Sequence, residues 1–455
     1  MYEKRRDKIL RKLHGYFKHF YKKGLIFIQD TEMMSRDMLE CRASHEGSLL
    51  KGMYWSMFSL HHLDEMFKEA SPDGIPRDLV TEDRPYPVAM RLPEESDEEM
   101  TQIGNNDYLE DTDTSSWDSE TAARAIDCEL QRLCSRSVYG SELDTDVLNT
   151  REVDTVLRFL KTCMRDFVHD DVMFMGFANS DDRRRFYPNV TSTYLALSTY
   201  RLIGESLKMK VSIWFAKHMS WVYEVDELLA FIRMLYQHKK GYYRKCLFPV
   251  LPESADIRHT ASAVLSTSIA LRLAGCDDEY YYMKMKQWID VDDVTKHVIE
   301  HFNEDGGVSL WPPAESHCGA AFCAVAILTV LGTMDRVPRE KLVALKGWLM
   351  KTLAQFGGVS GRTGKAEDVC YSFWLLGSLS LLRRFGIQSQ VLRYREMLRF
   401  IEKCQAPSGG LSPYPSNGSD SVQADPFHSF AGLMAITLIE EERMGSETSI
   451  LDRLI

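Results

Sequence analysis

Apolar residues recur at helical spacing along almost the whole chain, as at Leu342, Leu345, Leu349 and Leu353, or at Tyr394, Met397, Leu398 and Ile401. Residues three and four apart share one face of a helix, so each such segment carries an apolar stripe that must be covered. Alternating stretches long enough for a useful strand are missing, and the pattern predicts an all-α chain. One region departs from it. Between Leu92 and Arg124 there are eleven acidic residues and no Lys or Arg, mixed with Ser, Thr, Asn and Gly. So little apolar surface cannot offset the entropy of ordering, and an acidic, disordered insert is expected at residues 72–149. The chain is thereby divided into N-terminal helices at 1–71, the insert, and a helical remainder at 150–455.

Glycine pairs give the second half a period. Gly306-Gly307, Gly357-Gly358 and Gly409-Gly410 are separated by 51 and 52 residues (357 − 306 and 409 − 357). Each pair follows an amphipathic segment, at 294–302, 341–355 and 394–405, and precedes a loop and a more apolar segment. The unit is a helical hairpin repeated about every 50 residues, and stacked units of that size bury a shared core. Within each, the amphipathic helix faces water and the apolar one is enclosed by neighbours. Looser copies surround 174–177 with 190–204, and Gly241 with 259–275. Such hairpins form an open solenoid or close into a ring; an N-terminal pair brings the count to about six, the number that would close an α/α toroid. In a closed ring the loops after the glycine pairs share one end, and the polar residues opening each inner helix converge there.

Charge and cysteine content narrow the function. Lys and Arg total 55 against 66 Asp and Glu, a net charge of −11, the wrong sign for a surface that wraps nucleic acid. Ten cysteines without a repeated CxxC pair fit neither a disulfide framework nor a zinc ribbon; reduced thiols in a cytoplasmic protein are expected. The basic, amphipathic start lacks the uninterrupted apolar core of a secretory signal and is expected to pack as a first helix. The most apolar stretch elsewhere, 319–332, falls short of the roughly 20 residues that span a bilayer, so no transmembrane segment is expected.

The repeat register isolates the candidate chemistry. His317 and Asp368 each lie ten residues beyond the second glycine of their pair, Cys370 follows two further on, and His428 lies eighteen beyond Gly410. All open an apolar segment. Residues two apart in a regular helix point about 200° apart, but an aspartate at the N-cap and a cysteine in the first turn both face the mouth. A carboxylate, a thiolate and an imidazole make a three-ligand zinc site with a fourth position open to substrate. The same residues also read as a capping aspartate, a cysteine packed as a small apolar group and a satisfied core histidine. Arg362 and Lys365, with His317 and Tyr371, would form a cationic, hydrogen-bonding cluster suited to an anion such as diphosphate, or be ordinary solvated charge. The DVDD run at 290–293 imitates the acid motif of terpene cyclases, but its place before an amphipathic helix favours capping.

The segments GGVSGRTGKAEDVCYSFWLLGSLSLL (357–382), ESHCGAAFCAVAILTVLG (315–332) and GGLSPYPSNGSDSVQADPFHSFAGLMAITLIEE (409–441) resemble the β subunit of the protein prenyltransferases. The family pattern GRxxKxxDxCYSFW is matched at Gly361, Arg362, Lys365, Asp368, Cys370, Tyr371, Ser372, Phe373 and Trp374. The resemblance covers most of the chain outside the insert, more faintly through 50–64 and 190–204. It implies an α/α toroid that holds one zinc ion, pairs with a helical-repeat α subunit, and alkylates a cysteine near a protein C-terminus. By residue match, Asp368, Cys370 and His428 would be the zinc ligands. His317, Arg362, Lys365 and Tyr371 would hold the isoprenoid diphosphate, and Trp374 and Cys323 would line its hydrocarbon tunnel. Arg258 falls where the family has an arginine between the two substrates, and reads equally as a surface cation.

Within the family, the opening helix with Lys12-Leu13-His14 and Tyr16-Phe17, the phrase ESHCGAAFC and LKGWLM before the metal loop look most like geranylgeranyltransferase type I, whereas DPFH at 425–428 resembles the type II enzyme that modifies Rab proteins. Farnesyltransferases carry a magnesium-binding aspartate a few residues after the last glycine pair, and type I enzymes a lysine. Pro413 stands there, so magnesium is not expected to be required. Lys51 stands where farnesyltransferases have tryptophan and type I enzymes a small residue, so that position does not report lipid length, and the family's HGG is His317-Cys318-Gly319. Ala261 and Ala320 replace tunnel aromatics, implying a roomier tunnel that favours the C20 lipid. The expectation is a type I β subunit that uses geranylgeranyl diphosphate on small GTPases ending in CaaX. A farnesyltransferase or Rab-type β subunit, or a non-catalytic toroid binding module, is the alternative.

Overall fold

The two kinds of segment anticipated from the repeats form two concentric rings of helices. The structure, a computed structural model, describes residues 2–27, 49–70, 150–169, 171–180, 187–206, 225–247, 255–388, 393–415, 423–446 and 449–455; the acidic insert expected at 72–149 lies outside them. Outer and inner helices alternate along the chain: α1 (Tyr2–Phe27) with α2 (Leu49–Ala70), α3 (Thr150–Cys163) with α4 (Val190–Ser206), and α5 (Val225–Met234) with α6 (Ile257–Leu273). Then α7 (Asp278–Trp288) and α8 (Val291–Glu300) precede α9 (Cys318–Leu331), α10 (Arg339–Thr352) precedes α11 (Val369–Arg384), α12 (Tyr394–Lys403) precedes α13 (Pro426–Met444), and α14 (Leu451–Leu454) ends the described chain. Among the described residues, the six inner helices pack in the order α2, α4, α6, α9, α11, α13, and α13 packs back on α2. The ring is therefore closed, as the repeat count predicts.

Burial follows the composition of each helix. Inner α9 buries residues all round its circumference, from Cys318 to Leu331, whereas outer α12 buries only Met397, Leu398, Phe400 and Ile401. The glycine pairs explain how one hairpin fixes the next. Gly357 has φ +91°, a left-handed conformation that penalises any side chain, and a Cβ there would overlap the backbone of Glu396 in α12. A Cβ on Gly358 would lie 2.9 Å from the Phe400 ring, one turn further along the same helix. The seam of the ring repeats the arrangement. Gly409 presses on the Lys12 carbonyl of α1, and a Cβ on Gly410 would lie 2.6 Å from the Tyr16 ring. Helix α1 thus takes the place of the next outer helix after α12, and Gln405 adds a hydrogen bond to the Ile9 carbonyl at 3.2 Å.

A second set of contacts aligns the inner helices. The first amide of four of them donates to a carbonyl in the following repeat's loop: Val190 to Lys245 at 2.9 Å, Ile257 to Leu310 at 3.0 Å, Cys318 to Gly361 at 2.8 Å and Val369 to Pro413 at 2.8 Å. These amides have no partner inside their own helix, so the bonds satisfy them and level the helix starts around one mouth.

Two short antiparallel ribbons depart from the all-α expectation. Strands β1 (Met164–His169) and β2 (Val172–Phe177) pair in register, Phe167 opposite Phe174, and β3 (Tyr236–Gln237) pairs with β4 (Tyr242–Tyr243). β2 reads as one apolar run without alternation, and its buried end packs on α5, where a Cβ on Gly176 would lie 2.6 Å from the Phe231 ring. The DVDD run caps an outer helix, as its position suggests: Asp290 accepts from the Asp293 amide at 3.1 Å. No helix among the described residues is long and apolar enough to cross a membrane.

Replacing Gly357 with alanine combines a disfavoured φ with a backbone overlap, and is expected to destabilise the protein by roughly 1–3 kcal/mol. Gly364 has φ +76° but open space around it, so Gly364→Ala should cost only about 1 kcal/mol. Denaturant unfolding of the two variants checks the difference.

Candidate functional site

Polar N-caps open the inner helices at the mouth. Asn189 accepts from the Ser192 amide at 2.9 Å, Asp256 from Arg258 at 2.9 Å, His317 from Gly319 at 3.0 Å, Asp368 from Cys370 at 2.8 Å and Asp425 from His428 at 2.8 Å. Backbone hydrogen bonds establish the equivalence. The amides of His317, Asp368 and Asp425 donate to the carbonyls of Val308, Val359 and Leu411, each one residue after its glycine pair. The residue equivalent to His317 and Asp368 is therefore Asp425, fifteen beyond Gly410 (425 − 410) instead of ten. His428, expected at that register position, stands one turn into α13.

That displacement brings the nominated ligands together. One ligand atom from each of Asp368, Cys370 and His428 lies within 4.8 Å of the others. Asp368 uses Oδ1 for its cap and keeps Oδ2 3.4 Å from His428 Nε2. His428 is fixed from behind, because its Nδ1 is hydrogen-bonded to Asp425 Oδ2. Its ring also packs on Phe427 at 5.1 Å, which in turn meets Trp55 of α2 at 5.2 Å. Carboxylate support of a ligand histidine sets the ring's orientation and raises its basicity. Sequence reasoning missed Asp425, although Asp-Pro directly before an apolar run is a cap followed by a proline at the first helical position.

Protonation reflects the crowding. Burial opposes a charge on His428, but the Asp425 charge and the hydrogen bonds its ring makes to Asp368, Asp425 and Cys370 outweigh it and hold its proton well above the ordinary imidazole range. Burial, reinforced by Asp368, pushes the Cys370 thiol up. A divalent cation among these donors would displace both protons.

Beside this cluster lies the candidate anion cradle, with His317 on the neighbouring repeat. Burial, with Arg258 and Arg362 nearby, lowers His317 to about 4, so its ring is neutral at physiological pH. Within the expected cationic, hydrogen-bonding cluster, His317 thus offers hydrogen bonding and not charge. Because Nδ1 accepts from Gly319, the network assigns the proton to Nε2, which faces the Tyr371 hydroxyl at 3.4 Å. Tyr371 lies over Gly361, where a Cβ would overlap its ring, so the glycine of the GRxxK segment makes room for the tyrosine. Arg362 pairs with Glu315 at 2.6 Å. Arg258, half exposed, is held by buried Asp256 at 2.7 Å. Lys365 stands exposed in the turn after Arg362. Deeper in the ring Trp374 packs on Phe373 and Phe322 at 4.6 and 5.1 Å, and burial pushes the Cys323 thiol up to about 12.

A family model described as the prenyltransferase alpha-alpha toroid domain matches residues 134–453, and the chain belongs to that family. Its curated relatives are β subunits of the protein prenyltransferases. Geranylgeranyl transferase type-2 subunit beta of Saccharomyces cerevisiae is 34% identical over 150 residues, 33% of this chain and 43% of the relative. Geranylgeranyl transferase type-1 subunit beta of Arabidopsis thaliana is 31% identical over 183 residues, 38% of this chain and 46% of the relative. Protein farnesyltransferase subunit beta of Pyricularia oryzae is 32% identical over 190 residues, 37% and 36% of the two chains. The chain spans less than half the length of these relatives, which divide among three branches. A solved structure, Candida albicans protein geranylgeranyltransferase-I complexed with GGPP, aligns with TM-score 0.46 and 21% identity over 65% of this chain and 80% of that one.

Asparagine at position 425 keeps the cap but cannot hold the His428 ring with a full negative charge. Asp425→Asn is expected to weaken divalent-metal binding roughly 10- to 100-fold without lowering thermal stability, as measured by chelator competition and calorimetry. Undiminished affinity would show that His428 is held by other groups.

Proposed function

We propose that this chain is the catalytic β subunit of a zinc-dependent protein prenyltransferase that, with an α subunit in the cytoplasm, moves a geranylgeranyl group from its diphosphate to the cysteine of a C-terminal CaaX sequence. The observation that carries this reading is the convergence of the Asp368, Cys370 and His428 donors within 4.8 Å, on helix starts adjoining His317, Tyr371 and Arg362.

Sulfur, nitrogen and oxygen donors on three separate side chains suit zinc and leave a fourth position for an acceptor. Bound among them, zinc would keep the acceptor cysteine as its thiolate. The chain's own groups account for the rest. In the transfer, the thiolate sulfur forms a bond to the terminal allylic carbon while the bond from that carbon to the diphosphate oxygen breaks, and the pair of electrons leaves with the diphosphate. Arg362 and Lys365 supply positive charge where that oxygen becomes anionic, and the His317 Nε2–H and the Tyr371 hydroxyl supply donors, so stabilisation grows as the bond breaks. Asp256 fixes the guanidinium of Arg258 near His317, a place suited to steering a substrate. Trp374, Phe373 and Phe322 wall the interior with apolar surface that excludes water from a carbon chain.

Small residues at Ala261 and Ala320, both buried, support the C20 lipid. Pro413, whose carbonyl is committed to Val369, brings no carboxylate and supports a reaction without magnesium. A Rab-type activity is the second reading, favoured by the DPFH segment and the type-2 relative.

The test is a transfer assay on the assembled heterodimer, offering C15 and C20 diphosphates with CaaX peptides and with a Rab acceptor. Faster transfer of C20 to CaaX is expected; preference for C15, or for the Rab acceptor, would reassign the branch. Cys370→Ala and Asp368→Ala should each abolish transfer and lower zinc content, and full activity in either would end the zinc assignment. Arg362→Ala should raise KM for the diphosphate roughly tenfold or more while leaving peptide KM within about twofold, because it removes a charge-assisted contact to the leaving group alone.

A further inference from the structure

The inward face of α2 changes character at the mouth. Phe58 of α2 joins a chain of rings that runs over four successive inner helices, through Phe430 of α13, Phe373 of α11 and Phe322 of α9, at 5.6, 6.3 and 5.3 Å. Residues three and four apart share a helix face, so the stripe through Phe58 continues toward the helix start to Trp55 and Lys51 (58 − 55 = 3 and 55 − 51 = 4). Trp55 packs on Phe427, the second residue of α13, at 5.2 Å, which sets this turn of α2 level with the mouth. Phe58 is buried, whereas Trp55 and Lys51 are only partly buried. A cation therefore heads a stripe that is otherwise aromatic.

The ring order decides which side of the site that cation occupies. Helices α9, α11, α13 and α2 follow one another. The anion cradle belongs to the starts of α9 and α11, through His317 and Tyr371, and the metal donors to α11 and α13, so α2 lies beyond the donors on the side away from the cradle. Phe427 links the two, touching Trp55 on α2 and the His428 ring at 5.1 Å. An acceptor sulfur held among the donors meets the allylic carbon with its diphosphate on the cradle side. Displacement at carbon keeps the entering and leaving atoms on opposite sides, so the acceptor chain is excluded from the cradle and runs toward α2. Neighbouring helix axes stand about 8–10 Å apart, and an extended peptide advances about 3.3–3.6 Å per residue. The residue two or three places beyond the acceptor cysteine thus comes level with Lys51.

We propose that Lys51 makes this wall a carboxylate site, so that the protein selects acceptors bearing a negative charge two or three residues beyond the modified cysteine. This rests on the prenyltransferase reading above. A lysine ammonium is a compact point charge on a flexible stem, and here it stands one helical turn from the Trp55 and Phe427 rings. Those rings favour any apolar body at that place, and the ammonium adds a charge-assisted hydrogen bond only when a carboxylate is present. A basic residue at the same place meets like charge, which acts against the wrong acceptor. The carboxylate comes either from an acidic side chain or from the end of the acceptor chain, and the chemistry that recognises it is the same.

The experiment uses the heterodimer, the C20 diphosphate and acceptor peptides with Glu, Gln or Lys at the second or third residue after the cysteine, each made with a free and with an amidated terminus. Wild type is compared with Lys51→Met and Lys51→Glu. Among the amidated peptides, wild type should use Glu over Gln roughly tenfold better in kcat/KM, through KM and not kcat. Lys51→Met should erase that ratio and Lys51→Glu should invert it in favour of Lys, an inversion that a purely structural lysine would not produce. An advantage of free over amidated termini that both variants lose would assign the same site to the terminal carboxylate. A wild-type acceptor profile in folded Lys51→Glu would overturn the proposal, and if that variant does not fold, Lys51→Met decides alone. A wild-type heterodimer that transfers no isoprenoid to any acceptor would instead overturn the prenyltransferase reading itself.

Discussion

Everything at the mouth of this ring depends on how closely the backbone of each glycine pair approaches the next outer helix. Where Gly357 meets Glu396 and Gly409 meets Lys12, no atom beyond hydrogen fits, and the aromatic residue one turn on, Phe400 or Tyr16, closes over the second glycine. That contact fixes the rotation of each hairpin against its successor. Once it is set, the first amide of an inner helix meets the carbonyl of the following loop, and the helix starts come level. A shift of one ångström at a glycine pair would separate Asp368 and Cys370, on one hairpin, from His428 on the next.

The caps then serve two purposes. Asp368 holds the first turn of α11 with one oxygen and turns the other toward His428. Asp425 caps α13 and orients the His428 ring, and Asp256 caps α6 and holds Arg258. Helix N-termini carry partial positive charge, so several of them aimed at one mouth favour an anion there. The carboxylates among them offset that field locally, beside the cation site, while the neutral His317 cap leaves it unopposed at the start of α9. One ring end thereby offers a place for a cation and a place for an anion side by side.

Much of this was legible in the sequence because the glycine spacing is a backbone requirement written directly into residue type. The spacing gave six hairpins and the register that put His317 and Asp368 at equivalent helix starts. It misled at His428, since the last loop is longer and the equivalent position belongs to Asp425, whose partner is visible only once α13 has turned. The neutral state of His317 was not legible either, because burial is a property of the packed ring and not of the motif. Residues 164–177 carried no alternation and so hid a ribbon. The segment at 449–455 is too short and too mixed in polarity to show any period.

The seam between α1 and the last glycine pair has a consequence for synthesis. Lys12 and Tyr16 emerge from the ribosome nearly four hundred residues before Gly409 and Gly410, with 409 − 12 = 397. Until then the face of α1 that carries Leu13, Tyr16 and Phe17, all buried in the finished ring, has no final partner on that side. An open arc of hairpins with one sticky edge is the obligatory nascent species, and such exposed surface is prone to association with other chains. Molecular chaperones that shield it would act on this protein late, when the circle is five-sixths built.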